Sequence, residues 1–163
     1  MLFRSSLSVD FAIYSVREKL HEPLRIAADH GVKLLLETHG RLTDDLGHLE
    51  RLLHECDSPA LGLNLDTGNL WLGGGDPVAF VRKFMSKIHH VHWKDMPESM
   101  LSERGKKYGC GMSTIPLGSG VVDIRGVFIE LQKNGFDGHT TLEVAGETAV
   151  LQSRRFLQQL GAR

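Results

Sequence analysis

The chain has 163 residues, 41% of them hydrophobic, enough for one ordinary domain with its own core. A formal net charge of −1, with no block of like charges, excludes the electrostatic footprint of a nucleic-acid-binding protein. No apolar run approaches the ~18 residues of a membrane span, and the two cysteines, Cys56 and Cys110, make no disulfide framework, so the expected setting is cytoplasmic.

Residues 1–15 carry Ser and Asp that break any signal-peptide core. They have no clear part in the pattern that follows and are expected to be poorly ordered or a remnant of upstream sequence. A helix over roughly 16–30 ends at Gly31, with Pro23 as a kink or restart. The run VKLLLE (32–37) predicts a strand, and residues 42–56 place Leu46, Leu49 and Leu53 at helical spacing. A second strand follows at ALGLNLD (60–66). Then comes a helix with Asp76 as N-cap and Pro77 at its first position. KIHHVHW (87–93) predicts the third strand, and residues 96–120 form one long loop, a length more often functional than idle. The next helix takes Asp123 as N-cap and stops at Asn134-Gly135. The fourth strand is HTTLEV (139–144), and a last helix runs from Thr148 to Gly161. Strands alternating with helices in this way imply parallel βαβ units. One domain over residues 1–163 is expected.

Alternation along a strand sorts the side chains into two faces. Leu34, Leu36 and Thr38 separate from Leu35, Glu37 and His39. Leu61, Leu63 and Leu65 oppose Asn64 and Asp66, and Val91 and Trp93 oppose His90, His92 and Lys94. Leu142 and Val144 oppose Thr141 and Glu143. Every strand thus has one apolar face, and an opposite face that turns polar towards its C-terminal end. Parallel barrels build their sites there. The candidate constellation is Glu37, Asp66, His92 and Glu143. Three carboxylates and one imidazole suit Mn2+ or Mg2+, with Zn2+ or Co2+ as further candidates. His90 lies one pleat deeper on the same face and reads as a hydrogen-bonded core histidine, whereas His89 falls on the other face. His39 and Lys94 are candidates for contact with substrate. Cys110, in a glycine-containing loop, has no identifiable partner base and is not expected to be a nucleophile.

The pieces LLLETHG, LNLDTGN, HHVHWKD and IPLGSGVVDIRGVFIELQKNGFDGHTTLE resemble the xylose isomerase-like TIM-barrel superfamily, in its sugar phosphate isomerase/epimerase branch. The resemblance covers roughly residues 16–160. It implies that these pieces are strands five to eight of the barrel, with Glu37, Asp66, His92 and Glu143 around one divalent metal. It also implies a small-molecule keto-sugar or sugar phosphate as substrate, with Glu37 and Glu143 moving a proton through an enediolate. The same pair could drive β-elimination, a lyase reaction. Two departures stand out. A complete barrel takes ~250 residues, so four strands make only half of one. A homodimer or a missing N-terminal half-barrel would supply the rest. The family's Asp-x-x-His pattern reads DTGN here, so Asn69 stands where a substrate-holding histidine is expected, and an amide cannot exchange a proton near neutral pH. The alternatives are a catalytically inactive metal-binding fragment or subunit, and the superfamily's abasic-site endonucleases. The latter need several zinc ions and a basic surface, which this chain's charge does not offer.

Overall fold

The computed structural model describes residues 8–111, 113 and 115–162. Among these residues four strands form one parallel sheet in the order β1-β2-β3-β4: β1 Leu34–Glu37, β2 Leu61–Asp66, β3 Ile88–Trp93 and β4 His139–Leu142. Among the described residues six α-helices accompany them: α1 Val9–Asp29, α2 Leu46–Cys56, α3 Thr67–Leu72, α4 Pro77–Phe84, α5 Ile124–Lys133 and α6 Glu147–Leu160. This is the expected run of four βα units, a partial barrel.

Local chemistry sets the helix ends. Asp45 caps α2 by accepting from the Gly47 and His48 N–H groups, and Asp76 caps α4 from Val78 and Ala79, with Pro77 behind it. Asp123 caps α5 through the Gly126 N–H, and α6 stops at Gly161, whose φ of 110° favours glycine. Helix α1 departs from expectation. It begins at Val9, where the Ser8 hydroxyl accepts from the Phe11 N–H, and it runs through Pro23 without a restart. Residues 9–15 therefore belong to an ordered helix and are not poorly ordered, while residues 1–7 lie outside the described residues. An ion pair between Asp10 and Arg51 ties this first turn to α2. The helix α3 was also not expected. Its six residues are too few for a periodicity signal.

The core lies on the helix-covered side of the sheet. Leu63, Leu65, Val91 and Trp93 pack there against Leu70, Phe80, Val81, Ile124 and Val127, nearly all with no exposed surface. Burying such side chains is worth about 1.5–3 kcal/mol each. The opposite face is polar and carries the candidate site. A bulge between β2 and β3 pairs Leu63 with Ile88 but Asn64 with His90. It turns the His89 ring onto Gly62 beside Leu35, so His89 is not simply on the outer face as strict alternation required.

Hydroxyl groups lock neighbouring strand tips together. The Thr38 hydroxyl accepts from the Asp66 N–H (2.8 Å) and donates to the Asp66 carbonyl (3.0 Å). One strand further, the Thr67 hydroxyl does the same for Lys94, at 2.9 and 2.7 Å. Both threonines are completely buried.

The long loop is anchored by one carboxylate. Asp95, also fully buried, accepts from the backbone N–H groups of Met96 and Val122 on one oxygen and of Gly118 and Gly120 on the other, at 2.8–3.0 Å. A Cβ on Gly120 would lie 2.3 Å from that carboxylate, so only glycine allows the approach. Asp95→Ala leaves these donors without a partner and is expected to lower stability by about 3–5 kcal/mol, read by chemical denaturation. A loss below about 1 kcal/mol would show that the loop holds itself.

Candidate metal and active site

The four proposed ligands stand at the C-terminal ends of four different strands. Glu37 ends β1, Asp66 ends β2, His92 lies one residue from the end of β3, and Glu143 follows β4 directly. Register sets Asp66 beside His92 and Glu37 beside Asn64. The Glu143 backbone is held from both sides, its N–H donating to the Trp93 carbonyl and its carbonyl accepting from the Ser113 N–H.

One ligand atom each from Glu37, Asp66 and His92 lies within 4.8 Å of the others. Glu143 adjoins this group, with Oε1 3.0 Å from His92 Nδ1 and Oε2 2.6 Å from Lys94 Nζ. Asp66 is completely buried. Its Oδ1 caps α3 by accepting from the Asn69 N–H at 2.7 Å. Its Oδ2 accepts no hydrogen bond, although Lys94 Nζ lies 3.0 Å away as an ion pair. A buried carboxylate oxygen without an aligned donor costs free energy unless something cationic meets it. A divalent ion held by oxygens and one imidazole fits this set.

The surroundings shift the acids in opposite directions. Burial pushes Asp66 up to about 6, against the pull of Lys94. Glu143 is less buried, so its pairing with Lys94 and His92 outweighs desolvation and holds it below the usual carboxylate range. Burial works against the Lys94 charge too, but Asp66 and Glu143 overcome it and raise its pKa.

The expected substrate contacts divide by depth. The side chain of His39 is 55% exposed, with Nδ1 3.6 Å from Glu37 Oε1, and it faces the mouth of the site. Asn69 and Lys94 each show 1% exposure. Asn69 is a hub: its Nδ2 reaches Glu37 Oε1 (3.4 Å) and His39 Nδ1 (3.2 Å), while its Oδ1 accepts from the Cys110 N–H (3.0 Å) and Lys94 Nζ (3.4 Å). Lys94 turns to Asp66 and Glu143, not to Asp95. His90 is hydrogen-bonded to Thr141 at 2.8 Å as expected, but it is only partly buried and Thr141 is exposed, so it is not a core histidine. Asn64 was not singled out from the sequence. Its Nδ2 lies 3.4 Å from Glu37 Oε2 and 3.2 Å from His92 Nδ1, between two of the proposed ligands. Its position on the polar face two residues before Asp66 was the available signal.

The xylose isomerase-like TIM barrel family model matches residues 7–160. The chain belongs to that family. It is 28% identical to the inosose dehydratase of Lacticaseibacillus casei over 131 residues, 76% of this chain and 44% of that protein. It superposes on the probable 3-DHS dehydratase AsbF from Bacillus anthracis with a TM-score of 0.75 and 26% identity, covering 98% of this chain and 60% of that one. A D-tagatose 3-epimerase-like protein shares the fold at a TM-score of 0.77 and 23% identity, with coverages of 98% and 58%. The chain spans about half the length of the curated relatives it matches. No helix among the described residues is long and apolar enough to cross a membrane.

Beside the site, on the β1–α2 loop, Asp44 is 5% exposed, and burial pushes it up to about 6. Its carboxyl binds a proton more tightly folded than unfolded, so it favours folding at low pH and loses that advantage as pH rises through about 6. The stability of the wild type relative to Asp44→Asn is therefore expected to fall between pH 4 and 6 and then level off. Denaturation series of both proteins test this, and a flat difference would contradict it.

Proposed function

We propose that this chain carries the metal-binding half of a divalent-metal-dependent enzyme that removes a proton beside the carbonyl of a polyhydroxylated ketone and expels the β-hydroxyl as water. The convergence of Glu37, Asp66 and His92, with Glu143 beside His92 and a buried Asp66 oxygen that no hydrogen bond satisfies, carries this reading. When bound, a divalent cation polarises the substrate carbonyl and offsets the negative charge that develops on deprotonation. Glu143 has both oxygens engaged by His92 and Lys94, which suits a ligand better than a base. Glu37 is half-exposed and held by amides at longer range, so it takes the α-proton. The C–H electron pair becomes the new carbon–carbon double bond, and the β C–O bond breaks. His39, beside Glu37 at the mouth, supplies the proton with which the hydroxyl leaves as water.

Dehydration ranks first because the two relatives named above at 28% and 26% identity bear dehydratase names. Isomerisation or epimerisation is the second reading, favoured by the placement of Glu37 and Glu143 on opposite edges of the sheet, where they can address a substrate from two sides. Both readings place Mn2+ or Mg2+ at the site, and both need the remaining four βα units, supplied by a longer polypeptide or by a second copy.

Two measurements test the proposal. His92→Ala is expected to weaken Mn2+ binding by more than about 100-fold and Asn64→Ala by about 10–100-fold, read by calorimetry; unchanged affinities would remove the metal site. Incubation of the chain completed by its other four βα units with Mn2+ and a keto-cyclitol or ketose in D2O is expected to give a conjugated carbonyl absorbance. Deuterium at an inverted carbon without that absorbance would establish the second reading instead.

A further inference from the structure

Lys94 is an unusual residue to find beside a cation site, and its surroundings are built around it. The side chain shows 1% exposure, yet it carries a full positive charge into the sheet. Three oxygens surround the ammonium: Glu143 Oε2 at 2.6 Å, Asp66 Oδ2 at 3.0 Å and Asn69 Oδ1 at 3.4 Å. These contacts turn the ammonium towards the proposed ligands and away from a substrate hydroxyl or phosphate.

The path of the stem is equally specific. A Cβ on Gly68 would lie 2.6 Å from Lys94 Cγ, 2.8 Å from Cδ and 2.9 Å from Cβ. Gly68 is buried, and its helix α3 is fixed at Asp66 by the cap on the Asn69 N–H. The glycine of the DTGN stretch is thus a slot through which the lysine reaches two carboxylates. With Glu37, Asp66 and Glu143 negative and Lys94 positive, the cluster carries a formal charge of −2, the complement of one divalent cation.

We propose that Lys94 is the resident counter-ion of this site, a positioning residue that grips Asp66 and Glu143 through the slot at Gly68 and yields them to a divalent cation. This rests on the metal-binding reading given above. Two of the oxygens it holds are proposed ligands, so ion and ammonium compete for them. Repulsion between the two cations outweighs the modest cost of ordering the carboxylate side chains once the lysine is gone.

Binding of Mn2+ alone, without substrate, tests the proposal on the wild type and on Lys94→Met, Lys94→Arg and Gly68→Ala, with folding of each checked by circular dichroism and thermal melting. Lys94→Met is expected to bind Mn2+ at least about tenfold more tightly than the wild type and, in the metal-free state, to melt at a lower temperature that Mn2+ restores. Lys94→Arg, which keeps the charge, is expected to stay within about threefold of wild-type affinity. Gly68→Ala, which keeps the ammonium but obstructs its path, is expected to move affinity in the same direction as Lys94→Met by a smaller factor. Unchanged or weaker binding in folded Lys94→Met overturns the proposal while leaving the metal site standing. Should Lys94→Met fail to fold, Lys94→Arg and Gly68→Ala decide alone: wild-type affinity in both overturns it. Absence of Mn2+ binding in the wild type and in every variant removes the metal reading and this proposal together.

Discussion

A fully buried carboxylate at the tip of the all-buried strand β2 is the constraint around which this half-barrel is arranged. Asp66 cannot be solvated, so the chain meets its charge from within. One oxygen caps α3, and the other faces Lys94. That cap makes the turn from β2 into α3 abrupt, which brings Asn69 under Glu37 and His39. Thr38 and Thr67 then bind each strand tip to the next by paired hydrogen bonds, so a shift at one ligand is resisted at its neighbour. The ligand ends are thus organised by buried polar contacts, while the apolar core behind them supplies most of the burial energy.

The same logic extends to the long loop. Asp95 follows Lys94 directly, and its carboxylate gathers four backbone N–H groups from residues 96–122. The loop in turn returns Ser113 to bridge Val144 and fix the backbone of Glu143. Two adjacent buried charges at the end of β3 therefore do separate tasks. Lys94 reaches across to the ligand carboxylates, and Asp95 secures the segment that steadies the last of them.

Much of this was legible in the sequence, because four strands, their caps and the polar ends of their inner faces depend on local spacing. Asp76-Pro77 and Asp123 announced their helices by residue type alone. The candidate ligand set followed from alternation, since Glu37, Asp66, His92 and Glu143 each fall at a strand end on the same face. Alternation gives the face of a side chain but not its depth. Lys94 and His39 therefore looked equivalent as substrate contacts, although one is enclosed and the other half-open. The bulge at Leu63/Asn64, the clamp made by Asp95 and the hub at Asn69 are tertiary, joining residues 23–41 positions apart or shifting register between strands. No local pattern encodes them. The early start of α1 is different: Ser8 and Asp10 are an N-terminal signature, obscured by the expectation that the first residues were a remnant.

The distribution of the proposed ligands over the sheet bears differently on the proposed binding and the proposed catalysis. Asp66 and His92 come from β2 and β3, which are paired on both sides, and each is further fixed by contacts within this half. Glu37 and Glu143 belong to the ends of β1 and β4, whose outer backbone groups have no neighbouring strand among the described residues. Parallel edge strands of this kind gain register and rigidity only from what pairs with them. Proton transfer needs a carboxylate placed to within a fraction of an ångström, whereas a metal tolerates adjustment of a flexible glutamate. The half-barrel proposed here as a metal site is therefore expected to be more complete for holding the ion than for turning over a ketone. The residues that gain most from the other half are the two glutamates.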